Sequence, residues 1–189
     1  VPLWDEVQGH IWQMGIAMLD IAEDLQDECN RLRPLAQLAV QFQEADEESS
    51  SDEFLRSQLD HINEQCQEMI NQVKTETASL LEQGKKVIVL GGDNSTALGY
   101  LRALVARGES FGILHLDAHK NLQDSPQGFD YSPAASMRKA LDMDGIEKIV
   151  QVGVRSFQEG EYQLYSEEKD RLIGFTDRTL QQNKFEGGT

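Results

Sequence analysis

Cysteine is scarce in this 189-residue chain, with Cys29 and Cys66 the only two. They stand far apart and without CxxC spacing, which sets aside a zinc knuckle or a disulfide scaffold and leaves two reduced thiols. Basic residues are scarce at the front: residues 1–84 hold 4 Lys and Arg against 18 Asp and Glu, and the whole chain carries a net charge of −16. A surface of that sign repels phosphate backbones and anionic lipid headgroups, so nucleic acid and membrane surfaces are excluded as partners. Long apolar runs are missing too. The stretch Ile16-Ala-Met-Leu19 is cut by Asp20, far short of the roughly 20 residues a bilayer-spanning helix needs, and no secretory pattern opens the chain. The composition is that of a soluble, cytoplasmic protein. There is no GxGxxG, GxxxxGK[ST] or HExxH, so dinucleotide, P-loop and zincin chemistry lack their sequence marks.

What is present is an α/β pattern. Val87-Ile-Val-Leu-Gly-Gly-Asp-Asn-Ser95 and Phe111-Gly-Ile-Leu-His-Leu-Asp-Ala-His-Lys-Asn121 each pass from an apolar run into polar residues, as buried parallel strands do at their carboxyl ends. Between them Ser95 is positioned to cap a helix carrying Leu98, Leu101, Leu104 and Val105 that stops at Gly108, giving a strand, helix, strand unit. Ligands of open α/β sheets bind beyond the carboxyl ends of the strands. Asp93, Asn94, Asp117, His119 and Asn121 are therefore expected to converge on one crevice. An anionic oxygen and an imidazole spaced as in Asp117-x-His119 can approach one divalent ion from a strand end.

The rest of the chain divides in two. Residues 1–84 form an acidic helical front of charge −14, and residues 85–189, of charge −2, carry the strand and helix units and the crevice. We read 1–189 as a single domain. The spacing predicts helix over 10–43, with Leu19, Ile21, Leu25, Leu32, Leu35, Leu38 and Phe42 on one face and a boundary at Pro34. Residues 44–53 are acidic and serine-rich and predict a surface loop. Ser50 and Glu53 make a capping box for a second helix with the stripe Leu55, Leu59, Ile62, Cys66, Met69, Val73 and Leu80. Further strands are predicted at 148–154 and 172–176, with helices at 136–141, 159–171 and 177–184. Arg155, at the end of the first of these strands, is expected to pair with an acidic neighbour or to guard the crevice, with a structural ion pair preferred.

The two segments around the crevice, with Gly128-Phe-Asp-Tyr-Ser-Pro-Ala-Ala-Ser-Met137 and Ile149-Val-Gln-Val-Gly-Val-Arg155, resemble the ureohydrolase family of arginases and agmatinases, most closely the agmatinase-like branch. The resemblance implies an arginase/deacetylase-like three-layer architecture, a parallel sheet flanked by helices, here incomplete: the start at Val1 and the Gly-Gly tail read as a piece cut from a longer fold. It also implies a pair of manganese ions, a guanidino substrate such as agmatine or arginine hydrolysed to urea, and homo-oligomers. The family's Gly-Gly-Asp-His-Ser metal motif has Asn94 in place of the His. Its Asp-Ala-His-x-Asp motif reads Asp117-Ala-His119-Lys120-Asn121, and a His near the substrate is replaced by Pro133. No Asp-x-Asp follows Phe175. Asp117 and His119 are thus retained metal ligands, and Asn94 and Asn121 are degenerate ligand positions.

An amide oxygen coordinates a hard cation but carries no charge, so two Asn in these places weaken metal affinity. Weak, single-ion or absent manganese binding is expected. Three functional classes follow: a pseudoenzyme of the family, a mononuclear hydrolase using Asp117 and His119 with ligands from another segment, or an acidic helical interaction module. The direction of the Lys120 side chain stays open.

Overall fold

The computed structural model describes residues 4–5, 9–10, 15–20, 22–45 and 53–187. Ile21, the side chain of Phe42, and the capping box at Ser50 fall outside what is described. Two short strands, β1 (Trp4–Asp5) and β2 (Gly9–His10), pair antiparallel at the front. Helices α1 (Glu23–Ala45) and α2 (Glu53–Glu82) follow and pack on each other, with Arg31 and His61 3.2 Å apart across the pair. The helix expected from residue 10 is shorter than its apolar spacing suggested, since residues 16–20 are not helical. Nor does Pro34 end it: the proline lies exposed inside α1, which continues on both sides. Leu38, assigned to the apolar face, is 48% exposed.

The stripe of α2 does pack inward. Leu55 and Ile62 are buried, and Ile70, between two stripe positions, is fully buried in the main core. Its partner is α3 (Ala97–Ala106). Gly99 permits the close approach of these helices: a Cβ there would lie 2.6 Å from the Val73 Cβ and 2.7 Å from the Ile70 carbonyl oxygen. As expected, α3 stops at Gly108, whose φ of +76° suits glycine.

Three parallel strands form the sheet in the order β3 (Phe111–Leu116), β4 (Ile146–Val154), β5 (Leu172–Thr176). Ile113 pairs with Ile149, and Ile149 with Leu172. Helices α4 (Ser136–Leu141), α5 (Glu159–Glu167) and α6 (Asp177–Phe185) complete the set. The core gathers Ile70, Leu98, Leu101, Met137, Leu141, Ile149, Leu164 and Leu172 between α2 to α5 and one face of the sheet. β3 turns Ile113 and His115 inward and leaves Leu114 and Leu116 66% and 70% exposed.

One strand expected from the sequence is not formed. Residues 87–90 lie in no helix or strand, no strand pairs with them among the described residues, and Ile88 and Leu90 are 92% and 87% exposed. An apolar run becomes a strand only when a neighbour takes its backbone donors and acceptors, and among the described residues β3 pairs only with β4. Among the described residues no helix is long and apolar enough to cross a membrane.

Candidate functional site

Asp117 is fixed where β3 ends. Its N–H donates to the Val152 carbonyl at 3.2 Å, and the carbonyl of Ala118 accepts from Arg155 N and Ser156 N at 2.8 and 3.0 Å. The loop after β3 is therefore held by the loop after β4. Asn121 is buried with φ +57°, a left-handed conformation that Asn tolerates better than most residues. Its carbonyl accepts from Met137 N at 2.8 Å and Arg138 N at 3.2 Å, at the start of α4. On the other side, residues 94–96 form a short 3-10 turn ahead of α3. The cap here is Asp93, which accepts from Ser95 N at 2.8 Å and from the Ser95 hydroxyl at 2.6 Å. Ser95 was expected to cap; it is the capped residue.

These elements bring Asn94, His119 and Asn121 together around the Asp117 carboxylate, while Asp93, also expected in the crevice, is turned to Ser95 instead. Asn94 Nδ2 donates to Asp117 Oδ2 at 2.8 Å, and Asn121 Nδ2 donates to the same oxygen at 3.1 Å. His119 N donates to Oδ1 at 2.9 Å, with its ring Nδ1 3.3 Å away. The His119 side chain is 62% exposed. Reversing either amide would set its carbonyl oxygen against the carboxylate, so the NH2 orientation is the one the charge demands. Burial pushes the Asp117 carboxyl up. The His119 backbone N–H, the Asn94 amide and the nearby His115 ring outweigh it and hold the pKa down at about 2.

Behind the crevice lies a chain of polar groups that spacing did not reveal. The His115 Nε2 stands 3.3 Å from Asp117 Oδ2, yet it is buried and not aligned to hydrogen-bond among the described residues. Its Nδ1 lies 2.8 Å from the amide nitrogen of fully buried Gln151, which also donates to the Lys120 carbonyl at 2.6 Å. The Tyr165 hydroxyl donates to the Gln151 carbonyl oxygen. Burial lowers the His115 pKa, with Asp117 opposing, and it raises that of Tyr165, together with the charge of Glu161, to about 12. The only signal in the sequence was parity: His115 sits two residues before Asp117, on the inward side of β3.

Lys120 points away from the crevice. It is 4% exposed, and its Nζ lies 4.0 Å from the ring centroids of Phe157 and Tyr165 and 5.0 Å from that of Tyr162. Desolvation lowers its pKa, against the pull of Glu161. Glu161 is itself buried and tied down: it accepts from Leu122 N at 2.9 Å and, in a capping box at the start of α5, from Gln158 N at 2.7 Å. Pro133 is exposed and opens the turn into α4, offering no polar side chain there. Arg155 donates to the Gly153 carbonyl at 3.4 Å, and among the described residues the expected ion pair with an acid is not formed.

Two other features do not belong to this site. A cavity of about 740 Å³ lies beside residues 122–127 and α5, lined among others by Gln123, Asp124, Arg138 and Glu167, and none of the crevice residues borders it. Gly108-Glu-Ser-Phe-Gly112 has the spacing of a nucleophile elbow, but it joins helix α3 to strand β3, the reverse of the strand, turn, helix order that exposes such a serine. Among the described residues no three His, Cys, Asp or Glu side chains are grouped to hold a metal ion.

The model of the arginase family matches residues 11–185. The agmatinase of Bacillus anthracis is 28% identical over 110 residues, 58% of this chain and 38% of that protein. The mitochondrial arginase 1 of Arabidopsis thaliana is 38% identical over 84 residues, 43% of this chain and 25% of that one. Among solved structures, an arginase from Medicago truncatula superposes with a TM-score of 0.56 and 27% identity over 60% of this chain and 36% of its own. The chain thus matches well under half the length of these relatives. With a family model spanning nearly all of it and the fold shared with solved members, this chain belongs to the arginase family.

Proposed function

We propose that this chain is a ureohydrolase-family protein in which amide hydrogens have taken the place of cations around Asp117, so that it does not hydrolyse guanidino compounds efficiently by itself. One observation carries the reading: Asn94 and Asn121 both donate to Asp117 Oδ2. A pair of cations on a shared carboxylate needs lone pairs facing them, whereas here the near oxygen is met by N–H groups. The remaining donors are one carboxylate and the His119 imidazole, and these do not fit two manganese ions. In the family a metal pair would supply an activated hydroxide. The residues present are suited to holding their own hydrogen-bond network closed.

The substrate class toward which any residual activity would point is a guanidino compound, since an agmatinase, an arginase and a guanidinobutyrase are among the similar proteins. The test is to dialyse the purified chain against manganese and measure bound metal and urea release from agmatine and arginine. Much less than two ions per protomer and no urea are expected. Two ions with turnover would overturn the proposal.

A second reading is favoured by the exposed His119 ring beside Asp117 Oδ1 and the edge of β3 that no strand covers among the described residues. In it, a single ion held by Asp117 and His119 takes further ligands from another segment laid against that edge. Metal uptake that appears only when a longer family chain is supplied would select it.

A further inference from the structure

The side chain that ties the crevice to the rest of the fold is Gln151. It lies on β4, fully buried, and every polar position of its amide is engaged: one NH2 group serves both His115 Nδ1 and the Lys120 carbonyl, and the carbonyl oxygen accepts from Tyr165. The orientation of that amide follows from its neighbours. The Lys120 carbonyl can only accept, which calls for the NH2 on its side, and the Gln151 oxygen is left for the tyrosine hydroxyl. His115 Nδ1 then faces a donor and must be the bare nitrogen of the ring. Its proton resides on Nε2, which faces Asp117 Oδ2 at 3.3 Å.

The geometry points to Gln151 as the positioning residue of the Asp117 crevice: it fixes the His115 tautomer that turns Nε2–H toward Asp117, and by holding the Lys120 carbonyl it sets the turn that delivers the Asn121 amide to the same oxygen. Oδ2 thereby accepts from the Asn94 and Asn121 amides, with the His115 Nε2 3.3 Å away though not aligned to hydrogen-bond, and of these three neighbours Asn121 and His115 depend on Gln151. Asn94 belongs to the turn before α3 and does not. This inference rests on reading that crevice as the functional site, but its test needs neither metal nor turnover, so the two can fail separately.

Nitrogen-resolved NMR of the histidine rings, at a pH well above the ordinary histidine range near 6.5, reads the tautomer in the unaltered chain. A single Nε2–H species is expected for His115, and an Nδ1–H species would overturn the inference. Gln151→Met, which keeps the volume and removes the amide, adds a second reading from the side-chain NH2 signals of the two asparagines. The Asn121 signal should shift and exchange faster while that of Asn94 stays in place. Both signals unchanged, or both lost alike, would contradict a positioning role.

Discussion

Asn94, in the turn that opens α3, sits 2.8 Å from Asp117 at the end of β3, with its amide hydrogen on the carboxylate. Two segments that do not pair as strands are joined through this bond, and Asn121 adds a second at 3.1 Å.

Restoring charge and imidazole should restore a cation site. In the double variant Asn94→His, Asn121→Asp, manganese affinity should rise about 10-fold to 100-fold or more, the scale on which changes around a metal ligand act. Titration of the manganese electron paramagnetic resonance signal measures it. No rise would mean that the two positions do not face a shared cation.

Asp117 makes the fold sensitive to acid in a defined window. Its pKa falls from an ordinary 3.8 to about 2 on folding, so the unfolded chain takes up the proton first. The stability it contributes is complete above pH 3.8 and is lost as pH falls toward 2. Melting temperature against pH should drop through that interval, and Asp117→Asn should flatten that part of the curve.

Tyr165 acts at the other end of the scale. Its hydroxyl ionises at about 12 in place of 10, so above pH 10 the unfolded chain loses this proton before the folded one, and stability declines as pH rises toward 12. The ultraviolet tyrosinate titration of the folded protein should show one of its 4 tyrosines ionising late. Tyr165→Phe should remove that late step and leave the others.

The ammonium of Lys120 is enclosed by three ring faces. Cation–π contacts contribute about 2 kcal/mol when desolvated. Lys120→Met keeps the apolar stem and drops the charge, so denaturant unfolding should show a loss of about 1–2 kcal/mol. An unchanged midpoint would mean that the cost of burying the ammonium cancels its attraction to the rings.

At Gly99 the prediction is steric. A methyl group would meet Val73 and the Ile70 carbonyl at distances no relaxed contact allows, so Gly99→Ala should force α2 and α3 apart and cost about 1–3 kcal/mol in the same assay.

Much of this was legible in the sequence because it is local. The strands at 111–116 and 172–176, that at 148–154 which starts two residues earlier at Ile146, the stop at Gly108 and the stripe of α2 follow from residue periodicity and from glycine's freedom at positive φ. The meeting of Asp117, His119 and Asn121 beyond the end of β3 followed from the rule that ligands bind at strand ends, whereas Asn94 reaches them from the turn before α3 and not from a strand end. Residues 87–90 were misread because pairing depends on a neighbour, which no apolar run encodes by itself. Pro34 was misread because a proline marks where a helix is costly, not where packing against α2 ends it. The direction of Lys120, and the path from Tyr165 through Gln151 to His115, depend on residues of β4, α5 and the loop between them meeting those of β3, contacts that no spacing along the chain announces.

The central claim is that amide hydrogens, not cations, face Asp117. Anomalous diffraction at the manganese edge, from crystals grown with excess manganese, tests it most directly. The account predicts no peak, or a lone one on the Oδ1 and His119 side, with both asparagine NH2 groups still on Oδ2. Two peaks bridged by Asp117, with Asn94 and Asn121 turned to offer their oxygens, would contradict it.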